Sequence, residues 1–250
     1  MATIKSVVFK KIFAEKGEGN YYNLMETKAF IFDLNGTMID DMSYHARAWY
    51  DILNNDLKAG LSWDEVKAQM YGKNAELLVR IFGEHYFPQE QIQELSFEKE
   101  RRYQNAYLPE LKLIKGLHRF LENAEQKGIP MAIGSAAIPF NIDFVLDNLQ
   151  LRHFFKAIVS ADDVATSKPD PETFIKCAQL LQVAPENCIV FEDAPKGVEA
   201  AQNAGMQTVV LTTMHAKEEF DGYNNIMAFI EDYTMVTPAD FLNSDKKIDK

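Results

Sequence analysis

Short apolar runs alternate with amphipathic helical patterns along most of the chain after residue 28. Each run is followed by a Gly, Asp or Ser turn, which is typical of strands that are buried on both faces. The strand candidates are 29–32, 130–133, 157–159, 188–191 and 208–211. The helical patterns between them are 116–127, 139–148, 171–181 and 197–204. This alternation predicts an α/β fold, in which a parallel sheet carries helices on both faces.

One long stretch departs from this alternation. Between about residues 42 and 113 the sequence holds helical patterns, such as the spacing of Tyr44, Ala48 and Ile52, and no good candidate for a buried strand. We therefore predict a helical insertion at 43–113, between the first strand and the rest of the sheet. The core is then formed by 28–42 and 114–250. We expect most aromatic residues of the insertion to pack inside it: Trp49, Trp63, Phe82 and Phe97.

The first 27 residues fit neither pattern. Their apolar run, Val7-Val8-Phe9, is too short for the hydrophobic region of a secretory signal, and Met25 stands just before the first strand. We interpret residues 1–27 as an N-terminal extension that is disordered, or, for residues 1–24, as sequence ahead of the true start.

Composition and charge narrow the class of partner. The chain has 250 residues, 47% of them hydrophobic, and a formal net charge of −11. This composition is that of a globular protein, and the acidic charge disfavours nucleic acid and anionic membranes as partners. The apolar runs are too short for a membrane span. Two cysteines without zinc spacing, Cys177 and Cys188, predict buried thiols in a reducing cytoplasm; a monomer is the default.

Polar residues follow the first strand directly, in the segment Asp33-Leu34-Asn35-Gly36-Thr37. Asp33 and Asn35 are two residues apart, so they leave a strand on the same side, and Gly36 permits a tight turn. A carboxylate at this place can attack phosphorus and form an aspartyl-phosphate. Taken alone, the segment also fits an ordinary Asp-Asn-Gly turn.

Three further polar signals lie at comparable places. Ser135 and Ala136 follow the second strand, where a hydroxyl and free backbone N–H groups can hold a phosphate. Lys168 stands in a loop before a helix and can neutralise phosphoryl oxygens. Glu192 and Asp193 follow the fourth strand and offer the oxygen ligands that Mg²⁺ prefers. Each signal alone fits a helix cap or a solvated lysine, but strand ends of this kind share one edge of a sheet.

In this order the four signals resemble the motifs of the haloacid dehalogenase superfamily. The segment Tyr44-His45-Ala46-Arg47-Ala48-Trp49 resembles the cap entry of its β-phosphoglucomutase-like phosphatase group, and the whole resemblance covers about residues 28–215. It implies a Rossmann-like, three-layer α/β/α core with an inserted α-helical cap. It also implies Mg²⁺-dependent hydrolysis of a small phosphorylated metabolite.

The resemblance also implies a role for each matching residue. Asp33 would be the nucleophile and a Mg²⁺ ligand. Further ligands would be Asp193 and the backbone carbonyl of Asn35, with Glu192 at or near the metal. The residues implied in holding the phosphoryl group are Gly36, Thr37, Ser135, Ala136 and Lys168.

Asn35 departs from the family pattern. The family has a second Asp here, which protonates the leaving group and then activates water, whereas an amide cannot carry a proton near pH 7. Such catalysis is typically worth about 10²–10⁴-fold. Another group could supply the proton, with His45 first and Asp40 or Asp41 next. Alternatively, the chain binds metabolites without turnover, the Asn-Gly step deamidates to Asp, or the reaction needs no acid or base at residue 35.

Two residues of the predicted insertion bear on the kind of substrate. Mutases of the group carry an Arg in a segment that resembles Gly72-Lys73-Asn74-Ala75-Glu76, and here Ala75 stands at that position, although Lys73 or Arg80 could replace it. This loss favours a phosphatase of a small sugar-phosphate-like monoester over a phosphosugar mutase. His45 could contact the substrate, although a partly exposed surface histidine fits the sequence as well.

Overall fold

The computed structural model describes residues 28–242, and within that range six parallel strands form one sheet. The order of the strands is β3-β2-β1-β4-β5-β6. Their bounds are β1 Ala29–Phe32, β2 Met131–Gly134, β3 Ala157–Val159, β4 Cys188–Glu192, β5 Gln207–Leu211 and β6 Ile226–Ile230. The predicted fold class is confirmed, and all five predicted strands are present.

Helices cover both faces of this sheet and form the stretch between β1 and β2. They are α1 Met42–Asp51, α2 Trp63–Ala68, α3 Asn74–Phe82, α4 Gln89–Tyr107, α5 Leu117–Gln126, α6 Pro139–Asn148, α7 Glu172–Leu181 and α8 Pro195–Asn203. A π-helical turn, Ile52–Asp56, continues α1. The last four helices match the predicted patterns within two residues at either end, which is the usual uncertainty of helix ends.

The sequence pattern missed β6. This strand pairs with β5 at the edge of the sheet, and four of its five residues are only half-buried. Its five residues are nevertheless all apolar, like those of the buried strands, so the apolar run is a signal from which β6 could have been predicted.

Alternating strand residues build the core on the two faces of the sheet. Phe30, Phe32 and Phe191 lie on one face, where Phe120 of α5 packs against them. Phe32 and Phe191 are register partners on β1 and β4, and their rings stack with centroids 4.7 Å apart. The pairing of β1 with β4 brings the segments that follow these strands to adjacent places at one edge of the sheet.

The helices between β1 and α5 have an apolar cluster of their own. Its buried members are Trp49, Ile52, Leu53, Val66, Leu77 and Leu78. The expectation that the aromatic residues pack inside holds for Trp49 and for Phe82, which packs against this cluster. It is wrong for Trp63 and Phe97, which are 38% and 57% exposed. Phe97 instead contacts Phe140 of α6, with the ring centroids 5.6 Å apart. We call this segment, residues 42–110, the helical insertion.

Other predictions have mixed outcomes. The two cysteines are free and buried, as predicted, and burial raises the pKa of the Cys188 thiol to about 12. Across residues 28–242, no helix combines the length and the apolar character that crossing a bilayer requires. The prediction of an N-terminal extension concerns residues 1–27, which lie outside the described residues.

Phe120 is the aromatic residue on which the packing of α5 against the sheet most depends. It is buried and contacts the rings of Phe30, Phe191 and Tyr233. We expect Phe120→Ala to lower the free energy of unfolding by about 3–5 kcal/mol, because it leaves a cavity between α5 and the sheet. Urea denaturation measures this change. Glu125→Ala, an exposed change on the same helix, is the control, and an equal loss in both variants would contradict the packing.

Candidate functional site

A cleft of about 170 Å³ lies between the helical insertion and the carboxyl edge of the sheet. The sheet side contributes the residues that directly follow β1, β2 and β4, together with Lys168 from the loop before α7. The insertion contributes side chains from α1, α3 and α4. Ligands of parallel α/β sheets collect at this edge, where helix N-termini and strand ends meet.

Lys168 joins two carboxylates at the bottom of the cleft. Its Nζ lies 2.6 Å from Oδ1 of Asp33 and 2.8 Å from Oε1 of Glu192. Burial alone would lower the pKa of Lys168, but the charges of the two carboxylates outweigh it and raise that pKa above its usual range. The lysine therefore remains an ammonium, and it is held beside Asp33 rather than solvated.

Glu192 is fixed on both of its carboxylate oxygens. Oε1 accepts from Lys168, and Oε2 accepts from the backbone N–H groups of Asp193 and Ala194 at 2.7 Å each. Gly197, in the first turn of α8, makes this possible: a Cβ at that position would lie 1.8 Å from Oε1 of Glu192. The glycine that follows the acidic pair therefore gives the glutamate the space that it occupies.

Asp33, Glu192 and Asp193 form a buried acidic cluster, with one carboxylate oxygen from each within 4.8 Å of the others. Gly36 lies against this cluster, because a Cβ there would come within 2.1 Å of Oδ2 of Asp193, and its φ of +76° suits glycine. The hydroxyl of Thr37 donates to Oδ1 of Asp193 at 3.4 Å. Gly36 and Thr37 thus shape the carboxylate position, and their contact with phosphate stays a prediction.

Burial, together with neighbouring negative charge, raises the pKa values of Asp33 and Asp193. Burial raises the pKa of Asp33 to about 7, helped by the charge of Glu192 and opposed by that of Lys168. Burial also raises the pKa of Asp193 well above its usual range, with further contributions from Glu192 and Asp33. A nearby cation would relieve both shifts, because an opposite charge favours the ionised form of a carboxyl.

Ser135 and Ala136 occupy a bend between β2 and α6 that opens onto the cleft. The Ser135 hydroxyl is buried and accepts from the N–H of Ala137 at 3.1 Å. Helix α6 begins at Pro139, as predicted, so residues 135–137 lie in the bend ahead of the helix. Pro139 has no N–H group and fixes the start of the helix beyond the bend.

Asn35 is bound by one residue just before the helical insertion and one in its first helix. Its Nδ2 lies 2.6 Å from Oδ2 of Asp41 and 3.0 Å from Nε2 of His45. His45 is only 6% exposed and lines the cleft, so the alternative of a partly exposed surface histidine is wrong. Asp41 is fully buried, whereas Asp40 is exposed.

A buried pair on α4, which no pattern in the sequence predicts, extends this network. Nζ of Lys99 lies 2.6 Å from Nδ1 of His45 and 3.0 Å from both carboxylate oxygens of Glu100. Glu100 also accepts from the amides of Asn74 and Asn141. Both charged residues lie in a stretch of alternating charges that resembles a solvated helix face, so no local pattern signals their burial.

Polar contacts hold the helical insertion against the core at two sides of the cleft. On one side, Glu100 of the insertion accepts from the Asn141 side chain of the core at 2.5 Å. On the other side, Lys73 donates to the carbonyl of Val164 at 2.9 Å, and Ser167 donates to Glu76 at 3.0 Å. Ser167 directly precedes Lys168, so the insertion is hydrogen-bonded to the loop that carries the buried ammonium.

The residues that could replace the missing arginine of the insertion are engaged elsewhere. Nζ of Lys73 is bound to the Val164 carbonyl. Arg80 donates to the carbonyls of Gln69 and Tyr71 and lies over the Tyr71 ring. The ammonium of Lys73 and the guanidinium of Arg80 are thus both bound to backbone carbonyls.

Comparison with known proteins agrees with this geometry. The family model of the haloacid dehalogenase-like hydrolases matches residues 27–205. The chain is 32% identical to a fructose-1-phosphate phosphatase of Escherichia coli over 72% of this chain and 93% of that protein. It is 34% identical to a β-phosphoglucomutase of Bacillus subtilis over 73% of this chain and 82% of that protein.

A solved structure resembles the fold over most of its length. It is a haloacid dehalogenase hydrolase of family IA, variant 3, from Entamoeba histolytica, with a TM-score of 0.76 and 26% identity. The match covers 85% of this chain and 96% of that one. With its motifs gathered at one sheet edge, its inserted helices and its relatives among phosphatases and mutases, this chain belongs to the haloacid dehalogenase-like hydrolases.

Proposed function

We propose that this protein is a Mg²⁺-dependent phosphomonoester hydrolase that acts on a small sugar-phosphate-like substrate through an aspartyl-phosphate at Asp33. One observation carries the proposal: Asp33 and Lys168 lie 2.6 Å apart beneath a cleft that the helical insertion closes. A nucleophile, a fixed cation and exclusion of water are the main requirements of phosphoryl transfer.

The acidic cluster fits Mg²⁺. Its donors are carboxylate oxygens, which this ion prefers, and the raised pKa values of Asp33 and Asp193 indicate that the cluster lacks positive charge. Asp33 and Asp193 would hold the ion together with the backbone carbonyl of Asn35. Glu192 stays beside the metal, because Lys168 and two N–H groups already occupy its oxygens. Bound Mg²⁺ supplies positive charge to the phosphoryl oxygens.

In the first step, an oxygen of Asp33 attacks phosphorus and the bond from phosphorus to the ester oxygen breaks. Lys168 neutralises charge on the phosphoryl group, and the Ser135 hydroxyl and the N–H of Ala136 hold its oxygens at the bend after β2. In the second step, water attacks the same phosphorus, the bond to Asp33 breaks and inorganic phosphate forms.

Both steps require movement of a proton that Asn35 cannot carry. The leaving alkoxide takes up one proton, and the attacking water loses one. We assign this role to His45, because its imidazole lines the cleft 3.0 Å from the Asn35 amide. Asp40 is exposed and Asp41 does not line the cleft, so neither reaches the substrate directly.

Deamidation of Asn35 and metabolite binding without turnover fit the site less well. Deamidation needs the N–H of Gly36 to attack the amide, but that N–H donates to the Ile39 carbonyl at 2.8 Å. A protein that only binds metabolites would not need the ammonium of Lys168 held against Asp33. The buried thiols agree with the reducing cytoplasm that we propose as its location, with the chain as a monomer.

Within this family the structure favours a phosphatase over a mutase. Residue 75 is an alanine, and the cations that could replace an arginine there, Lys73 and Arg80, bind backbone carbonyls. Glu100 lines the same cleft. Burial alone would raise its pKa, but Lys99, His45 and two amides lower it, so the carboxylate is ionised and repels a second phosphate. The substrate class that fits is a sugar or polyol monophosphate, which agrees with the fructose-1-phosphate phosphatase among the relatives.

Phosphate release tests the nucleophile directly. We expect the protein with Mg²⁺ to release phosphate from sugar monophosphates such as fructose 1-phosphate faster than from sugar bisphosphates. Asp33→Asn should lower kcat by at least about 10³-fold, because an amide cannot form the aspartyl-phosphate. Asp221→Asn, an exposed change outside the cleft, is the matched control. If the wild type binds phosphate and Mg²⁺ but releases no phosphate from any substrate, the result would instead support a protein that binds metabolites without turnover.

Metal binding has a readout that does not depend on activity. We expect Mg²⁺ to raise the free energy of unfolding, because it neutralises the buried cluster only in the folded protein. A free Mg²⁺ concentration of 100 times Kd corresponds to an increase of about 2.7 kcal/mol. In Asp193→Asn the metal-free protein should be more stable than wild type, since one of the crowded acids is gone, and the Mg²⁺ effect should shrink. Thermal denaturation with and without Mg²⁺ measures both, and an unchanged Mg²⁺ effect in the variant would exclude Asp193 as a ligand.

A further inference from the structure

Asp41 is a buried carboxylate that the proposed reaction does not use. Its side chain is fully buried, and Oδ2 lies 2.6 Å from Nδ2 of Asn35, 3.2 Å from Nε2 of His45 and 2.5 Å from the hydroxyl of Tyr103. Among the described residues, the second oxygen, Oδ1, has no hydrogen-bond partner. Burial of a partly satisfied carboxylate costs free energy, so its presence here requires a physical reason.

Charged neighbours hold His45 on both of its ring nitrogens. Lys99 is paired with both oxygens of Glu100, and an ammonium has donors only. Its Nζ lies 2.6 Å from Nδ1 of His45. Nε2, on the other side of the ring, faces Oδ2 of Asp41 at 3.2 Å, so the imidazole is held between a lysine and a carboxylate.

Asp41 also fixes the amide of Asn35. The carboxylate takes an N–H of Nδ2, so a flip of the amide would place its carbonyl oxygen against a negative charge. Nδ2 of Asn35, Nε2 of His45 and the hydroxyl of Tyr103 thus converge on one oxygen of Asp41. The ring of Tyr103 stacks on His45 with the centroids 3.7 Å apart and holds the imidazole from the side.

We propose that Asp41 is a positioning residue that stands in for the carboxylate missing at position 35, so that Asn35 and Asp41 work as one pair. Asp41 does not line the cleft; it acts by orienting Asn35 and His45, which do. This inference rests on the proposed function, since it concerns the residues that handle the proton of the same reaction.

The pairing of Asn35 with Asp41 makes the effect of a single substitution predictable. If Asn35 were replaced by Asp, two carboxylate oxygens would stand where an amide nitrogen and a carboxylate oxygen now lie 2.6 Å apart, and the carboxylate of Asp41 is fully buried. Like charges at that separation repel strongly. Restoration of the family's second Asp alone should therefore harm this protein, and the reversed pair, Asp at 35 with Asn at 41, should repair it.

The experiment compares wild type, Asn35→Asp, Asp41→Asn and the double variant, with Asp221→Asn as an exposed control. Phosphate release from fructose 1-phosphate and from p-nitrophenyl phosphate gives kcat and KM, and thermal melting gives Tm. We expect each single variant to lose about 10-fold or more in kcat, a coupling typical of residues in direct contact, with KM changed less than about 3-fold. The double variant should recover kcat, and it should recover the Tm that Asn35→Asp loses.

The outcomes separate this inference from the proposed function. Losses that multiply in the double variant, or a kcat in Asn35→Asp above that of wild type, would overturn the coupling while leaving the hydrolase proposal intact. Absence of phosphate release from wild type and from every variant would overturn the proposed function, and this inference with it. If Asp41→Asn does not fold, Tyr103→Phe removes only the hydroxyl that donates to Asp41; an unchanged kcat there would also contradict the positioning role.

Discussion

Three buried carboxylates meet at the carboxyl edge of the sheet, and the site depends on how their charges are balanced. Lys168 bridges Asp33 and Glu192, and two backbone N–H groups donate to the other carboxylate oxygen of Glu192. The packing around them follows from this arrangement, because Gly36 and Gly197 leave space that a Cβ would take from Asp193 and Glu192. The remaining negative charge is what makes the cluster suited to a divalent cation.

The helical insertion supplies the other half of the chemistry. Its first helix brings His45 to Asn35, its long helix α4 brings Lys99 and Glu100 to His45, and Asn141 of the core closes the network. Charges alternate along this chain of contacts, from Glu100 through Lys99 to Asp41. A carboxylate absent from the end of β1 is thus matched by one at the start of the insertion, which is consistent with retained activity despite Asn35.

Local signals in the sequence predict the fold and the sheet side of the site, because buried strands and the residues that directly follow them are contiguous. Asp33, Ser135, Lys168 and Asp193 were found in this way, and the structure brings them together. The site residues of the insertion could not be predicted from local signals, because Lys99 and Glu100 look like ordinary exposed helix residues and only tertiary packing buries them. β6 was missed although it carries a continuous apolar run of five residues, from which it could have been predicted.

The central claim is that Asp33 becomes phosphorylated during turnover. The most direct measurement is mass spectrometry of acid-quenched protein after brief mixing with Mg²⁺ and a sugar monophosphate, followed by analysis of the peptide that contains Asp33. We predict a mass gain of one phosphoryl group on that peptide in wild type and its absence in Asp33→Asn. Phosphate release from Asp33→Asn at the wild-type rate, or a phosphoryl group on another residue, would contradict it.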